Sequence, residues 1–310
     1  MRLERPPVFS AFTDRAARWG VLPHEYAFGG WLAAMAVWLL WVAGPGSLQS
    51  QLFLACAVLS LALIAWCQRR PTPLRWRLRL LWYPSAMGLS FYALPGAVAA
   101  LGRPNADARL SAIDRGLLGR PAAELLQAIA SPALSDLLTV CYLFFFVVLL
   151  VGPGHYCWRD LARFRACIVG LFVLYALGFA GYVALPASGP FRALPELPPL
   201  PAGPLTQWMH PLIVGGSNGV DVFPSIHFTA SFYLLLFDWW HYRRRFWLWL
   251  APVLGLWLST VYLRYHYLVD LLAGLPVAVL ALWVMHRYQA SETAARADAS
   301  LFIAPPSPQG

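Results

Sequence analysis

Long apolar runs constrain this chain more than any other feature of its sequence. A helix needs about 20 predominantly apolar residues to cross the hydrocarbon layer of a membrane. Of the 310 residues, 59% are hydrophobic and only 12% are charged, whereas charged residues make up about a quarter of a soluble domain. The sequence therefore predicts an all-α, polytopic bundle of about eight transmembrane helices. The predicted spans are about 25–44, 50–67, 80–101, 135–152, 166–185, 225–241, 246–263 and 268–286.

Arginine clusters between the spans predict how the bundle is oriented. They lie before the first span and in the connections after the second, fourth and sixth spans. If the spans alternate, all four clusters share one side, which the positive-inside rule makes cytoplasmic. We therefore expect an inner (plasma) membrane protein with both termini in the cytoplasm. This pattern accounts for the net charge of +9, and no nucleic-acid partner is expected.

Two segments on the predicted outer side differ from the spans. Residues 102–134 carry leucines and arginines in an amphipathic pattern, which predicts short helices on the outer membrane surface. Residues 186–223, which we call the cap segment, are rich in proline. Proline has no backbone N–H and favours extended backbone, so this segment is predicted to be irregular. One histidine of the cap segment, His210, has no partner that the sequence suggests.

Polar side chains that could take part in catalysis lie at the predicted outer ends of the last spans. His266 and Asp270 are four residues apart, so they share one face of a helix. A carboxylate there can accept a hydrogen bond from one imidazole nitrogen and hold the other toward a substrate as a nucleophile. Pro224 is a favoured first residue of a helix, which puts Ser225 and His227 in its first turn. Free N–H groups at such an end attract an oxyanion, beside which His227 could donate a proton.

The number of spans between the two histidines predicts that they meet. After His227 the chain crosses the membrane, turns and crosses back before it reaches His266. Two crossings return the chain to the same side at a similar depth. Both imidazoles are therefore expected in one pocket on the outer face.

Two segments at these positions resemble the signature motifs of a known family. FPSIH at 223–227 and STVYLRYHYLVDLLAG at 259–274 are similar to the second and third motifs of the type 2 phosphatidic acid phosphatase superfamily. The Tyr-Leu-x-x-His-Tyr-x-x-Asp spelling resembles the inositol phosphorylceramide synthase branch more than the simple phosphatases. The resemblance covers roughly residues 165–285.

The resemblance implies a role for each residue of the two motifs. His266 would be the nucleophile that forms a phosphohistidine, and Asp270 would orient it. His227 would protonate the leaving group, and Ser225 would help to bind phosphate. No metal and no cofactor are implied.

The chain departs from the family pattern where phosphate-binding cations are expected. The chain contains no lysine, and the third motif begins Ser259-Thr260 where Ser-Arg is common. The transition state still carries charge on the phosphoryl oxygens that must be offset. Arg192, in the tight Gly-Pro-Phe-Arg loop of the cap segment, is the first candidate substitute, although a solvated loop arginine explains it equally well. Arg264 is the second candidate if the following helix begins after it.

These observations divide the chain into five parts and predict an enzyme. The parts are a cytoplasmic N-terminal segment (1–24), N-terminal spans (25–101), the outer-surface amphipathic segment (102–134), a catalytic transmembrane bundle (135–286) and a disordered cytoplasmic tail (287–310). We expect a lipid phosphate phosphatase or phosphotransferase that acts on a lipid phosphate or phospholipid and passes the phosphoryl group to water or to a hydroxyl acceptor such as inositol.

Two other interpretations of the sequence stay open. One is a lipid or proton-coupled transporter or flippase, although such proteins often have two related halves and none is visible here. The other is an inactive protein that retains the fold. Asp221 and Asn218, just before FPSIH, are candidates to contact an acceptor hydroxyl, and a role in shaping the loop explains them equally well.

Overall fold

The computed structural model describes residues 20–301, with side chains described up to residue 293. All regular secondary structure in this range is helical. A π-helical turn, Glu25–Gly29, leads into the first helix. The helices are α1 (Gly30–Val42), α2 (Leu48–Arg69), α3 (Pro73–Ala100), α4 (Asp107–Leu118), α5 (Ala122–Leu126), α6 (Pro132–Arg159), α7 (Leu161–Ala184), α8 (Pro190–Ala193), α9 (Pro204–Gly216), α10 (Ile226–His241), α11 (Arg243–Tyr262) and α12 (Leu268–Leu301).

Capping residues set where several long helices begin. Ser47, Thr72, Ser131 and Asp160 each precede a helix, and each side chain accepts a hydrogen bond from a backbone N–H three residues later. These bonds satisfy N–H groups that have no partner within the helix. In α3 and α6 a proline follows the cap, where its missing N–H does no harm.

Every predicted span falls on a helix, and five helical segments are long and apolar enough to cross a membrane. These are Glu25–Val42, Leu48–Arg69, Pro132–Arg159, Leu161–Ala184 and Leu268–Thr293. The protein is therefore an all-helical, multi-pass membrane protein. The other three predicted spans correspond to α3, α10 and α11, which are not among the five. The total of eight spans and the orientation of the bundle stay predictions.

Helix α7 is the centre of the bundle. It packs against α12, α10 and α6, and most of its residues are buried. Three of its glycines lie where a Cβ atom would collide with α10 or the residues before it: Gly170 faces Tyr233, Gly178 faces Ile226 and Gly181 faces Pro224. Small residues allow membrane helices to approach closely. These glycines therefore allow α10 to pack closely against α7. His227 is the second residue of α10.

Two predictions about the segments outside the spans differ from the structure. The cap segment is not wholly irregular, because it contains the 13-residue helix α9. Pro204 stands in the first turn of α9, where proline is tolerated. Helix α12 continues to Leu301, past residue 287 where the tail was predicted to become disordered. Its last turns are rich in alanine, the strongest helix former. Residues 1–19 and 302–310 lie outside the described range.

Candidate active site

His227 and His266 meet at the end of the bundle where α10 begins and α11 ends. His227 is the second residue of α10, and His266 lies in the loop between α11 and α12. His266 Nε2 is 3.4 Å from His227 Nδ1. Helices α10 and α11 carry the chain away from His227 and back to His266. The structure thus contains the convergence that the two intervening spans predict.

The ring of His266 is oriented by a backbone carbonyl. Its Nδ1 is 3.0 Å from the oxygen of Val222. A carbonyl can only accept a hydrogen bond, so Nδ1 carries the proton and Nε2 presents its lone pair toward His227. Burial lowers the pKa of His266 to about 4, although the negative charge of Asp221 and the hydrogen bond to Val222 act in the opposite direction. The imidazole is therefore neutral at pH 7, as a nucleophile must be.

Asp270 lies beneath His266 but is not the nearest acceptor of its proton. Asp270 Oδ2 is 3.4 Å from His266 Nδ1 and accepts a 2.7 Å hydrogen bond from the backbone N–H of Tyr267. Its Oδ1 is buried without a hydrogen-bond partner among the described residues. Asp270 therefore stabilises the turn that carries His266, while Val222 holds the imidazole proton. The sequence could not indicate Val222, because a backbone carbonyl has no residue-specific signature.

Ser225 caps α10 rather than standing in its first turn. Helix α10 begins at Ile226, and Ser225 is its cap. The prediction that Pro224 is the first helical residue is therefore wrong, because Pro224 precedes the cap. The Ser225 hydroxyl accepts a 3.3 Å hydrogen bond from the N–H of Phe228, and its own N–H donates to the Asp270 carbonyl at 3.0 Å. Ser225 thereby joins the starts of α10 and α12. Its role in binding phosphate stays a prediction.

The two candidate arginines lie apart from the histidine pair. Arg192 is exposed on α8, and its guanidinium contacts the Val214 carbonyl at 3.4 Å. Arg264 has a left-handed backbone with φ of 67° and donates to the Pro198 carbonyl at 2.7 Å and to Gln127. Helix α12 does begin after Arg264, but this guanidinium points to the cap segment. Neither arginine lines the cavity at the histidines.

A cavity of about 360 Å³ extends from the histidine pair between α6, α7 and α9. Aliphatic and aromatic side chains line most of it. The Tyr142 ring stacks on His227 with centroids 4.8 Å apart, and Phe145 approaches His227 at 4.4 Å. Ligand pockets of this kind are mostly apolar, with a few polar groups that orient the ligand. The volume is large enough for a phosphorylated head group.

Helix α4 holds the loop of His266 through two buried aspartates that the sequence analysis did not single out. Asp114 accepts hydrogen bonds from the N–H groups of Leu268 and Val269 at 3.0 and 2.9 Å, so it caps α12. Asp107 accepts from the Tyr267 hydroxyl and the Gly189 N–H, both at 3.0 Å. The available signal was their spacing of seven residues, which places both on one helix face.

His210 also has a partner that the sequence did not suggest. Its Nδ1 is 2.8 Å from the hydroxyl of Tyr265, and the two rings stack with centroids 5.7 Å apart. Tyr265 is the neighbour of His266 and lines the cavity. Helix α9 of the cap segment is thereby attached to the loop that carries His266. Burial lowers the pKa of His210, so this contact forms with a neutral imidazole.

Comparison with known proteins finds one family for this chain. The sequence model of a family described as the PAP2 superfamily matches residues 108–284, which is more than half of the chain. The matched range runs from α4 into α12 and includes Ser225, His227, His266 and Asp270. No curated protein and no solved structure matches the chain. Among the described residues, no group of three or more His, Cys, Asp and Glu is placed to hold a metal ion.

Proposed function

Because the chain belongs to the PAP2 superfamily, we propose that it is an integral membrane lipid phosphate phosphatase or phosphotransferase that works through a phosphohistidine. The observation that carries this proposal is the approach of His266 Nε2 to within 3.4 Å of His227, with the proton of His266 held on the other nitrogen. A nucleophile and an acid that share one pocket are what phosphoryl transfer through a covalent intermediate requires.

The proposed reaction has two steps. In the first, which begins with His227 as the imidazolium, the Nε2 lone pair of His266 attacks phosphorus, the bond to the leaving oxygen breaks, and His227 gives that oxygen a proton and becomes neutral. In the second, a hydroxyl acceptor or water attacks the phosphohistidine, its proton passes to His227, and the bond from phosphorus to nitrogen breaks. Both residues return to their starting states. Asp270 keeps the role of orienting the turn that bears His266.

Charge on the phosphoryl oxygens has to be offset in both steps. The first N–H groups of α10 lie beside His227, and such groups attract anions. Ser225, Arg192 and Arg264 are the further candidates. Arg192 is the better placed of the two arginines, since Val214, which its guanidinium contacts, lines the cavity. The arginine clusters favour an active site on the outer face of the plasma membrane, and the resemblance of the third motif to that of the inositol phosphorylceramide synthases favours an alcohol as acceptor.

The first prediction is that His266→Ala abolishes turnover. Without Nε2 no covalent intermediate can form, so the release of phosphate or head group from lipid substrates in detergent should fall at least 10²- to 10⁴-fold, the range that a general acid alone contributes. The assay should score inorganic phosphate and new phospholipid, with and without inositol. Labelled phosphorus should be trapped on the wild type and be absent from the variant.

His155→Ala is the matched control for this experiment. His155 is exposed and lies near the opposite end of α6 from the site, so its loss should change neither turnover nor labelling. Melting of all three proteins in detergent separates lost chemistry from lost folding. Turnover by a folded His266→Ala protein would contradict the mechanism. Lipid movement without any phosphoester cleavage by the wild type would favour a transporter instead.

A further inference from the structure

The charge of the cavity is unusual for a site that binds phosphate. The chain has 23 arginines, but none is among the described residues that line the cavity. The one acidic side chain among those lining residues is Asp221. A phosphate monoester brings up to two negative charges into a site, and burying uncompensated charge is costly. The cavity therefore offers a poor environment for a ligand whose charge is only negative.

Asp221 is held in place with one oxygen free for a ligand. Its Oδ1 accepts hydrogen bonds from the Ser217 hydroxyl at 2.8 Å and the Gly219 N–H at 3.2 Å. No hydrogen bond to Oδ2 and no ion pair of Asp221 occurs within the described part of the chain. Asp221 directly precedes Val222, whose carbonyl oxygen is 3.0 Å from His266 Nδ1. It therefore lies at the reactive end of the cavity.

Aromatic rings share the cavity with this carboxylate. Tyr142, Phe145, Tyr182 and Tyr265 all line the cavity. The faces of aromatic rings attract cations, and rings of this kind bind quaternary ammonium groups in other proteins. A fixed carboxylate that shares a cavity with aromatic rings, and that has no ion pair among the described residues, is complementary to an ammonium group. The cavity could thus bind a positively charged group close to His266.

We infer that the substrate of this cavity is a zwitterionic phosphodiester lipid, with a phosphoethanolamine or phosphocholine head group. Its phosphate would lie between His266 and His227, and its ammonium group would contact Asp221 and the tyrosine rings. Such a head group has no net charge, so burying it costs less than burying a phosphate monoester. The inference rests on the proposed function and narrows its substrate class.

The position of Asp221 also determines which bond breaks. Because Asp221 holds the amino alcohol, His266 attacks phosphorus and the bond to the glycerol oxygen breaks. Diacylglycerol leaves with the proton from His227, and phosphoethanolamine or phosphocholine stays on His266. A hydroxyl acceptor or water then takes this group, returning its own proton to His227. The inference thus specifies transfer of the whole head-group phosphate.

The test compares lipids that differ in head-group charge. The full chain in mixed micelles is given phosphatidylethanolamine, phosphatidylcholine, phosphatidylglycerol, phosphatidylinositol or phosphatidate, and the release of diacylglycerol yields kcat/KM. The wild type should prefer the zwitterionic lipids at least tenfold. Asp221→Asn keeps an oxygen for Ser217 and Gly219 but loses the charge, so it should lower kcat/KM for the zwitterionic lipids tenfold or more and remove the preference.

Glu196→Gln is the control of matched charge. Glu196 lies in the same cap segment with a side chain 59% exposed, outside the cavity, so the preference should be unchanged. Should Asp221→Asn fail to fold, the wild type still decides the question, because phosphocholine should inhibit it at lower concentration than glycerol 3-phosphate. Inhibition by phosphocholine and by glycerol 3-phosphate at equal concentrations would overturn the inference. So would an Asp221→Asn protein whose kcat/KM falls as much for phosphatidylinositol as for the zwitterionic lipids. A wild type that cleaves none of the five lipids would instead overturn the proposed function.

Discussion

At His266 burial keeps the ring neutral, and a backbone contact decides which of its two nitrogens carries the proton. The Val222 carbonyl lies 0.4 Å closer to Nδ1 than the Asp270 carboxylate does, at 3.0 against 3.4 Å. A charged carboxylate bonded to the imidazole would favour the protonated ring. A neutral carbonyl favours it less, and burial then keeps the ring neutral. His266 is thus prepared to attack phosphorus without first losing a proton.

This state of His266 predicts how activity depends on pH. Only the neutral imidazole is a nucleophile, and its fraction falls as the pH drops through its pKa. Since burial lowers that pKa from 6.5 to about 4, the acidic decline of kcat/KM should lie near pH 4 to 5 rather than near 6.5. A phosphodiester substrate suits this measurement, because its own charge is constant in this range. A decline centred near 6.5 would show that His266 is solvated in the free enzyme.

Among the elements, α4 contributes most to the site for its length. It was predicted to lie on the membrane surface, and its Ile113 and Leu117 are indeed exposed. Its acidic face, however, is buried against the loop of His266 and the start of α12. Asp114 is only 1% exposed and supplies both oxygens to backbone N–H groups. These bonds replace water at a helix end where N–H groups lack partners.

Asp114→Asn should weaken this attachment. Asparagine has one acceptor oxygen, so either Leu268 or Val269 loses its partner. An unsatisfied buried N–H costs about 1–3 kcal/mol, and we expect a lower melting temperature in detergent together with reduced turnover. Glu124→Gln on α5 is the control, since its side chain is 41% exposed and its loss should leave both quantities unchanged. An Asp114→Asn protein with wild-type melting and turnover would show that α4 does not support the site.

At the scale of the whole molecule, the site lies at one end of the bundle and most arginine clusters lie at the other. Arg159 is the last residue of α6, and Arg243 to Arg245 are the first residues of α11, whose other end leads into the loop of His266. The positive-inside rule places the arginine end in the cytoplasm. The histidine pair would then face outward, within reach of lipids and acceptors of the outer leaflet.

Thiol labelling of the full chain in intact cells tests this orientation. A reagent that cannot cross the membrane should label Glu196→Cys in intact cells but label Arg159→Cys only after lysis, because the two exposed positions lie at opposite ends of the bundle. The parent protein, with its five free cysteines, gives the background. The reverse pattern would place the site in the cytoplasm.

What the sequence determined by itself is the helical bundle and the meeting of the two histidines. In lipid every backbone N–H and carbonyl must find its partner within the segment, so an apolar run of sufficient length becomes a helix whatever surrounds it. Each predicted span coincides with a helix for this reason. Two helices between His227 and His266 then bring the chain back to its starting side.

Only the tertiary structure decided the groups that surround the histidines. Val222 acts through its carbonyl, Asp114 reaches α12 from 154 residues away along the chain, and Arg264 turns to Pro198 in the cap segment. The charge of the cavity depends on which side chains of separate helices and loops share one space. Such contacts follow from packing between distant segments, whereas periodicity and spacing report only on neighbours along the chain.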